Sequence, residues 1–284
     1  MSELLGLLRR AVAARMSDGA VVVLSGGLDS SAVAMLAPGA PCFTGYYDER
    51  GFDERHYARL VIEGSPREWH QVQITPRMFV QHFDEFAAAV EPPYEGVGAF
   101  GQFIVGKAIA RRGYRIALSG EGADELFGGY ARLSLVAGRN VPDNYDGYHL
   151  PPDYPRDLTA ALEFEMAHLP ALLRVDDQCM AAHGIEARAP FTDERVTHYA
   201  LALAPEWRVG KTVLRQAVRG LVPDQIIDRT DKMGFPAPFV RWAQEEPVRS
   251  FVKARLGYVP SAERPWAREW FHELTSVCSA RVAA

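Results

Sequence analysis

The sequence predicts an α/β protein, in which a parallel β-sheet with helices on both faces is followed by a helical C-terminal half. Three observations carry this prediction. Short apolar or β-branched runs alternate with amphipathic segments, two of these runs end in glycine-rich loops, and from about residue 158 the apolar residues recur at helical spacing. Parallel strands need long crossovers, usually helices, so the alternation favours a parallel sheet. We expect one domain over 1–284, made of an α/β half (1–138) and a helical half (156–284).

The individual elements follow in order from the same periodicities. The run AVVVL at 20–24 has turn signals on both sides and is typical of a strand buried on both faces. Pro38 ends the helix that follows the first glycine-rich loop, because proline cannot continue a helix. The predicted strands are 20–24, 42–46, 69–74 and 115–118, and the predicted helices are 3–16, 29–37, 53–63, one from 76, and one ending near 112.

Composition narrows the function classes. The chain has 284 residues, 48% of them hydrophobic, and a net charge of -5, which gives no general attraction for nucleic acid. Its cysteines, Cys42, Cys179 and Cys278, form no closely spaced pair, so neither a structural zinc site nor a redox dithiol is expected. No apolar run reaches about 18 residues and residues 1–16 lack a signal-peptide core, so we expect no membrane span and a cytoplasmic location. The sequence leaves open whether the chain forms a homo-oligomer.

The first glycine-rich loop, SGGLDSS at 25–31, stands between a predicted strand and a predicted helix. Gly26 and Gly27 allow a close backbone approach, and the amides of the following helical turn are placed to bind an anion. Ser25 and Ser30 add hydroxyl donors. Asp29 would repel a phosphate unless Mg²⁺ lies between them. The alternative is an ordinary strand-to-helix turn in which Asp29 and Ser30 act as caps.

The second loop, SGEGADE at 119–125, again follows a predicted strand and opens a helix. Loops at the carboxyl ends of neighbouring parallel strands meet in one crevice, where such folds bind ligands. Glu121, Asp124 and Glu125 would repel one another without a counter-ion. We therefore predict a metal ion shared between Asp29 and Asp124, with a solvated acidic helix start as the alternative.

Both loops resemble a known family. Residues 25–31 resemble the SGGxDS signature of the N-type ATP pyrophosphatases, which have an adenine nucleotide alpha hydrolase-like fold. SGEGADELFGGY at 119–130 resembles the synthetase domain of asparagine synthetase, which is related to β-lactam synthetases and lasso-peptide cyclases. The resemblance implies a carbon–nitrogen ligase that uses ATP and Mg²⁺. Such an enzyme adenylates a small-molecule carboxylate, releases pyrophosphate, and passes the acyl group to ammonia or an amine with release of AMP.

The resemblance also implies roles for single residues. Glu121 matches a glutamate placed to receive a proton from the attacking nitrogen. Asp29 and Asp124 would hold the metal. The residues implied to contact or border ATP are Leu24, Ser25, Gly26, Gly27, Asp29, Ser30, Thr44, Ser119 and Gly120.

The helical half carries further matching segments, RVDDQ at 174–178, GIEARAPFTD at 184–193 and RTDKMGFP at 229–236. Glu186 and Arg188 form a charge pair that either contacts substrate or clamps a helix to the sheet. A lone lysine is ordinarily a surface charge. The context of Lys232, however, matches a lysine that neutralises the α-phosphate and the oxyanion of the acyl transfer. Lys211 and Arg215 receive no firm role.

Two departures from asparagine synthetase bear on the substrates. A glutaminase domain with its nucleophilic cysteine is not expected in this sequence, so nitrogen would come from free ammonia, a separate glutaminase subunit or an amine-bearing substrate. The segment EGVGAFGQ at 95–102 lacks an arginine that helps hold aspartate, which indicates a different carboxylate. The alternatives to intermolecular amidation are an intramolecular lactam or macrolactam synthetase, a non-catalytic ATP-binding scaffold, and a tRNA-modifying relative. The last of these would require a basic surface.

Overall fold

The computed structural model describes residues 2–91, 98–141, 149–231, 237–261 and 269–283. Within them, no helix is long and apolar enough to cross a membrane.

The centre of the fold is a five-stranded sheet in which every neighbouring pair is parallel. The strand order is β3-β2-β1-β4-β5, so the chain reverses its direction of travel across the sheet between β1 and β4. Val22 pairs with Cys42 on one side and with Leu118 on the other. The strands are β1 (Ala20–Val23), β2 (Cys42–Tyr46), β3 (Trp69–Gln73), β4 (Ile116–Leu118) and β5 (Glu186–Arg188).

Helices connect and cover these strands. Those of the α/β half are α1 (Ser2–Arg15), α2 (Leu28–Leu36), α3 (Arg55–Ile62), α4 (Pro76–Ala89), α5 (Ala99–Arg111), α6 (Ala123–Leu126) and α7 (Ala131–Val136). Those of the second half are α8 (Leu158–Ala181), α9 (Glu194–Leu201), α10 (Pro205–Arg208), α11 (Thr212–Ala217), α12 (Asp224–Ile227), α13 (Phe239–Trp242), α14 (Val248–Leu256) and α15 (Glu269–Ala283). Short 3₁₀ helices span Pro190–Thr192 and Val209–Lys211.

Side-chain caps begin several helices where the sequence turns from extended to helical. Thr75 accepts from the backbone N–H of Met78 at the start of α4, and Pro76 takes the first helical position, where no backbone donor is needed. Asp157 accepts from the N–H of Ala160 at the start of α8 in the same way.

Two apolar cores lie on opposite faces of the sheet. Val22 belongs to one core, with α1, α2 and α11, and Val21 to the other, with α4, α5 and the C-terminal helices; both valines are fully buried. Successive side chains of a strand point to opposite faces, so a run buried on both faces needs helices on both sides. The predicted fold class is confirmed.

The structure differs from the prediction in the second half, which supplies β5 to the edge of the sheet through Glu186–Arg188. Three residues are too few to show a period-2 pattern, and the segment follows directly on the helical periodicity of α8. The helix α15 also packs on α4, so the C-terminal helices complete a core of the first half.

Candidate active site

The loop between β1 and α2 is a tight turn fixed by its own hydroxyls. Ser25 and Ser30 place their Oγ atoms 3.0 Å apart, and the N–H of Gly27 donates to Ser25 Oγ at 3.2 Å. Gly26 has φ 85°, and a Cβ there would lie 2.7 Å from the backbone nitrogen of Ala58 in α3. Only glycine fits this position, because it needs both a left-handed backbone and no side chain.

Leu24 follows β1 directly, and Thr44 is the middle residue of the neighbouring strand β2. The Thr44 hydroxyl donates to the Leu24 carbonyl at 2.6 Å and accepts from the indole N–H of Trp69 at 2.8 Å. Both residues are buried. The Thr44 hydroxyl therefore ties β2 to the residue at which the chain leaves β1.

The two glycine-rich loops are in direct contact. A Cβ on Gly120 would lie 2.8 Å from both the Cβ of Asp29 and the backbone nitrogen of Ser30. The loops follow β1 and β4, the pair of strands between which the strand order reverses. In open parallel sheets, ligands bind outside the carboxyl ends of the strands at such a reversal.

Lys211 joins the two predicted metal-binding carboxylates. Its Nζ lies 2.5 Å from Asp29 Oδ2 and 2.7 Å from Asp124 Oδ1. The Lys211 side chain is only 3% exposed, against 10% for Asp29 and 25% for Asp124. A positive charge thus lies between the aspartates that the sequence assigned to a shared cation.

The backbone around Lys211 explains how the ammonium reaches this position. Lys211 itself has φ 58°, a conformation that non-glycine residues rarely adopt. Its N–H donates to the Phe127 carbonyl at 2.9 Å, and the N–H of Gly210 donates to that of Gly128 at 2.8 Å. A Cβ on Gly129 would lie 1.8 Å from Asp124 Oδ1 and 2.2 Å from Lys211 Cε. The glycine pair after α6 therefore makes room for the lysine.

The same residues suit a hard divalent cation. Mg²⁺ is usually bound by one or two carboxylates, with substrate phosphates and water completing the shell. Asp29 and Asp124 supply such a pair and already converge on one cation, the Lys211 ammonium. In the part of the chain that the structure describes, no group of three or more acidic, histidine or cysteine side chains forms a metal cage. This donor set fits a metal held jointly with phosphate oxygens.

The three acids of the second loop have different surroundings. Glu121 is half-buried, and its N–H donates to Ser119 Oγ at 3.4 Å. Glu125 is buried and accepts from the Tyr130 hydroxyl. Burial, and then the neighbouring Asp124 charge, raise the pKa of Glu125. Glu125 therefore stabilises the loop from its buried side and does not face solvent.

Asp176 was not singled out by the sequence, although the segment that contains it was. Ser119 Oγ donates to Asp176 Oδ2 at 3.1 Å across β4 and α8, and both side chains are buried. Burial raises the pKa of Asp176 to about 6. Asp176 lies within a helical pattern of residues, and nothing in that pattern indicates a contact with the end of a strand. Only the folded structure shows that Asp176 accepts a hydrogen bond from Ser119.

Comparison with known proteins decides the family. The model of the asparagine synthase family matches residues 3–160 and 152–276. The chain belongs to the asparagine synthase family. This membership agrees with the resemblance of the two loops, 25–31 and 119–125, which the structure shows in contact.

Individual relatives of this asparagine synthase family member are similar over part of their length. Asparagine synthetase (glutamine-hydrolyzing) 1 of Bacillus subtilis is 26% identical over 78% of this chain and 47% of its own length. A putative asparagine synthetase (glutamine-hydrolyzing) of Mycobacterium tuberculosis is 25% identical over 90% of this chain and 51% of its own. Asparagine synthetase (glutamine-hydrolyzing) 2 of Arabidopsis thaliana is 28% identical over 73% of this chain and 38% of its own length. The chain spans about half the length, or less, of these relatives.

The structure places Glu186 and Arg188 on the edge strand β5. Arg188 Nε donates to Glu186 Oε1 at 2.8 Å, and Arg188 Nη1 donates to the carbonyl of Arg15, the last residue of α1, at 2.7 Å. The Arg188 carbonyl accepts from the N–H of Ser119. These contacts favour the structural of the two predicted roles, and a substrate contact stays a prediction. Lys232 and residues 95–97 lie outside the described residues.

Proposed function

We propose that this asparagine synthase family member forms an amide bond from a carboxylate and ammonia or an amine, through an acyl-adenylate, with release of AMP and pyrophosphate. The observation that carries the proposal is the convergence of the loops after β1 and β4 on Asp29, Lys211 and Asp124. A nucleotide-cleaving site needs an anion-binding loop beside a cation site, and this arrangement supports the proposal because it is compatible with both.

The first loop is proposed to hold the phosphates of ATP. Its backbone is already fixed by Ser25 and Ser30, so little ordering accompanies binding. Leu24, directly after β1, and Thr44, in β2, would border the nucleotide, and Ser119 and Gly120 would face it from the second loop. Mg²⁺ bound by Asp29 and Asp124 would neutralise charge on the departing pyrophosphate. Lys211 would contact the same phosphates.

The chemistry then proceeds in two displacements. A carboxylate oxygen of the substrate attacks the α-phosphorus of ATP, and the bond to pyrophosphate breaks. The nitrogen nucleophile next attacks the acyl carbon, Glu121 receives its proton, and the carbon–oxygen bond to AMP breaks. Lys232 is proposed to stabilise the charge that develops on the acyl oxygen. The buried Asp176 holds Ser119 beside this site.

The nitrogen source and the carboxylate follow from the sequence departures. Because the segment 95–102 has no arginine for aspartate, we propose a different small carboxylate. The nitrogen would arrive as ammonia, with a separate glutaminase subunit as one supplier, or on an amine-bearing substrate.

The test is pyrophosphate release from Mg-ATP across a panel of carboxylates, with and without ammonium. Release driven by one carboxylate, with AMP as the other product, is the expected result. Dependence on ammonium identifies amidation, whereas turnover without any nitrogen donor identifies cyclisation. ATP binding with neither AMP nor pyrophosphate formed across the panel would contradict the adenylation chemistry and favour a scaffold.

A substitution separates the two displacements. Glu121→Gln keeps the shape of the loop but cannot take a proton, so carboxylate-dependent pyrophosphate release should persist while amide formation falls about 100-fold or more. Glu163→Gln removes the same charge from an exposed position on α8 and should change neither step. Equal loss of both steps in Glu121→Gln would place this residue in adenylation instead.

A further inference from the structure

Lys211 lies on a turn at residues 206–212 (the Lys211 turn) whose backbone is strained. Gly210 has φ 68° and Lys211 has φ 58°, so two consecutive residues adopt the left-handed conformation. This conformation is unfavourable for a lysine, because its Cβ comes too close to the following carbonyl oxygen. Such a backbone persists only where surrounding contacts hold it, and its relaxation would move the ammonium away from Asp29 and Asp124.

The inner side of the Lys211 turn is held by the helix that the second glycine-rich loop opens. Four consecutive carbonyls there, those of residues 125–128, each accept a hydrogen bond from the turn. Buried Arg208 donates to the first two, through Nη2 at 3.2 Å and through Nε at 2.8 Å. The backbone N–H groups of Lys211 and Gly210 donate to the other two. These bonds fix the inner side of the turn and leave its outer side to other contacts.

Arg139 spans the outer side of the same turn. Its Nη2 donates to the Glu206 carbonyl at 2.6 Å. Its Nη1 donates to the Val209 carbonyl at 2.8 Å and to Thr212 Oγ1 at 3.2 Å. The three acceptors belong to the start, the middle and the end of the turn, so one guanidinium connects the whole of it.

The position of Arg139 is itself fixed by the end of α7. Gly138 follows α7 with φ 64°, and the N–H of Arg139 donates to the carbonyl of Ser134 at 2.8 Å, as in other helices that end at a glycine. The helix α7 packs on the Lys211 turn, and Leu133 and Val209 are both fully buried in one apolar cluster. The backbone of Arg139 therefore has a constant position relative to the turn.

Arginine suits this arrangement better than lysine does. Its planar guanidinium presents several donors in a rigid fork, which can reach three oxygens that are fixed relative to one another. Within the part of the chain that the structure describes, Arg139 makes no ion pair with a carboxylate, and its partners on the turn are two carbonyls and a hydroxyl. The contacts therefore indicate a hydrogen-bonding role for Arg139 rather than charge pairing.

We infer that Arg139 is a positioning residue: by spanning residues 206–212, it holds the Lys211 ammonium between Asp29 and Asp124. The inference rests on the proposed function, since it concerns the cation site of that function. The ammonium and Mg²⁺ compete for the same two carboxylates, so the Arg139 contacts favour the state in which the ammonium lies between them. Loss of these contacts should populate a state in which the ammonium has left and Mg²⁺ binds more readily.

The experiment measures the apparent dissociation constant for Mg²⁺, from urea unfolding of the purified chain at a series of Mg²⁺ concentrations without nucleotide. Arg139→Met removes every donor of the side chain, and because Arg139 is exposed the variant should fold. Apparent affinity scales with the fraction of molecules in the binding-competent state, so Arg139→Met should bind Mg²⁺ about 10-fold more tightly. Lys211→Met has no ammonium to displace and should bind Mg²⁺ at least as tightly.

Two further variants separate positioning from charge. Arg139→Lys keeps the positive charge without the fork, so its Mg²⁺ affinity should be closer to that of Arg139→Met than to that of the unaltered chain. Arg219→Met removes a positive charge from an exposed arginine that pairs with Asp224 and Asp228, and it should leave the dissociation constant unchanged. If Arg139→Lys matched the unaltered chain, Arg139 would act by its charge and the inference would be wrong.

A double variant separates positioning from general stability. In Lys211→Met there is no ammonium to hold, so adding Arg139→Met should lower the free energy of unfolding without changing the Mg²⁺ dissociation constant again. A residue that only stabilised the turn would alter the free energy of unfolding alone. The inference would be overturned if Arg139→Met left the dissociation constant unchanged, or if the two substitutions changed it independently.

The outcomes distinguish the inference from the proposed function. If neither Lys211→Met nor any other variant responds to Mg²⁺, the two aspartates are not a cation site, and the inference fails with that part of the proposed function. If Lys211→Met binds Mg²⁺ more tightly and a folded Arg139→Met variant does not, only the role of Arg139 is refuted. If the Mg²⁺ results are as expected but no carboxylate drives pyrophosphate release, only the amide-forming chemistry is refuted.

Discussion

The ion pair between Lys211 and the two aspartates gives the sharpest stability prediction. Replacing Lys211 by methionine keeps the length and apolar stem of the side chain but leaves Asp29 and Asp124 facing each other without the ammonium. Removing one partner of a buried pair costs about 3–5 kcal/mol. Because the Asp124 side chain is 25% exposed, part of the repulsion is screened, so we expect the lower end, about 3 kcal/mol.

The assay is urea unfolding with and without Mg²⁺ and without nucleotide. Asp29 and Asp124 without the Lys211 ammonium should attract Mg²⁺ more strongly than they do when Lys211 lies between them. Mg²⁺ should therefore increase the free energy of unfolding more in Lys211→Met than in the unaltered chain. The measurement needs no substrate, so it tests the cation site independently of turnover.

Lys107→Met is the matched control. Lys107 is 20% exposed and pairs with Glu85, which is 56% exposed, so its loss should cost about 0–1 kcal/mol and give no response to Mg²⁺. The reasoning is refuted if Lys211→Met is as stable as the unaltered chain, or if Mg²⁺ stabilises the two equally.

Three further predictions follow from single contacts. The pKa of the Asp176 carboxyl is about 6 in the folded chain and about 3.9 in the unfolded chain. Its protonation therefore stabilises the fold fully below about pH 4, and this stabilisation is lost as the pH rises through 6. Asp176→Asn should therefore gain up to about 3 kcal/mol relative to the unaltered chain between pH 4 and 7 in urea unfolding; a constant difference would contradict the buried, protonated acid. Gly120→Ala forces a Cβ against Asp29 and should both lower the melting temperature and weaken ATP binding measured by calorimetry, whereas unchanged affinity would show that the loops can separate. Arg188→Met should lower the free energy of unfolding by about 1 kcal/mol and leave the KM for the carboxylate unchanged, while a selective rise in that KM would assign Arg188 to the substrate.

Local pattern was sufficient for most of the sheet. The second strand was predicted at its observed bounds, Cys42–Tyr46, and β1 and β3 within one residue at their ends. Buried parallel strands are continuous apolar runs between turn residues, and such runs are visible without any partner. The edge strand β5 was missed because three residues paired only with β4 carry no pattern of their own.

The candidate site divides in the same way. The sequence by itself determined the two glycine-rich loops, and with them Asp29, Glu121 and Asp124, because each loop is a contiguous segment whose composition is unusual. Only the tertiary structure decided that Lys211 lies between the aspartates, that Asp176 supports Ser119 and that Arg139 spans the Lys211 turn. These three come from different elements of the chain, and their contacts depend on how α7, α8 and the turn after α10 pack against one another and the strand ends. In the sequence, a single lysine, aspartate or arginine is most simply interpreted as an exposed surface charge. Whether such a residue is buried depends on how the elements pack, which only the tertiary structure shows.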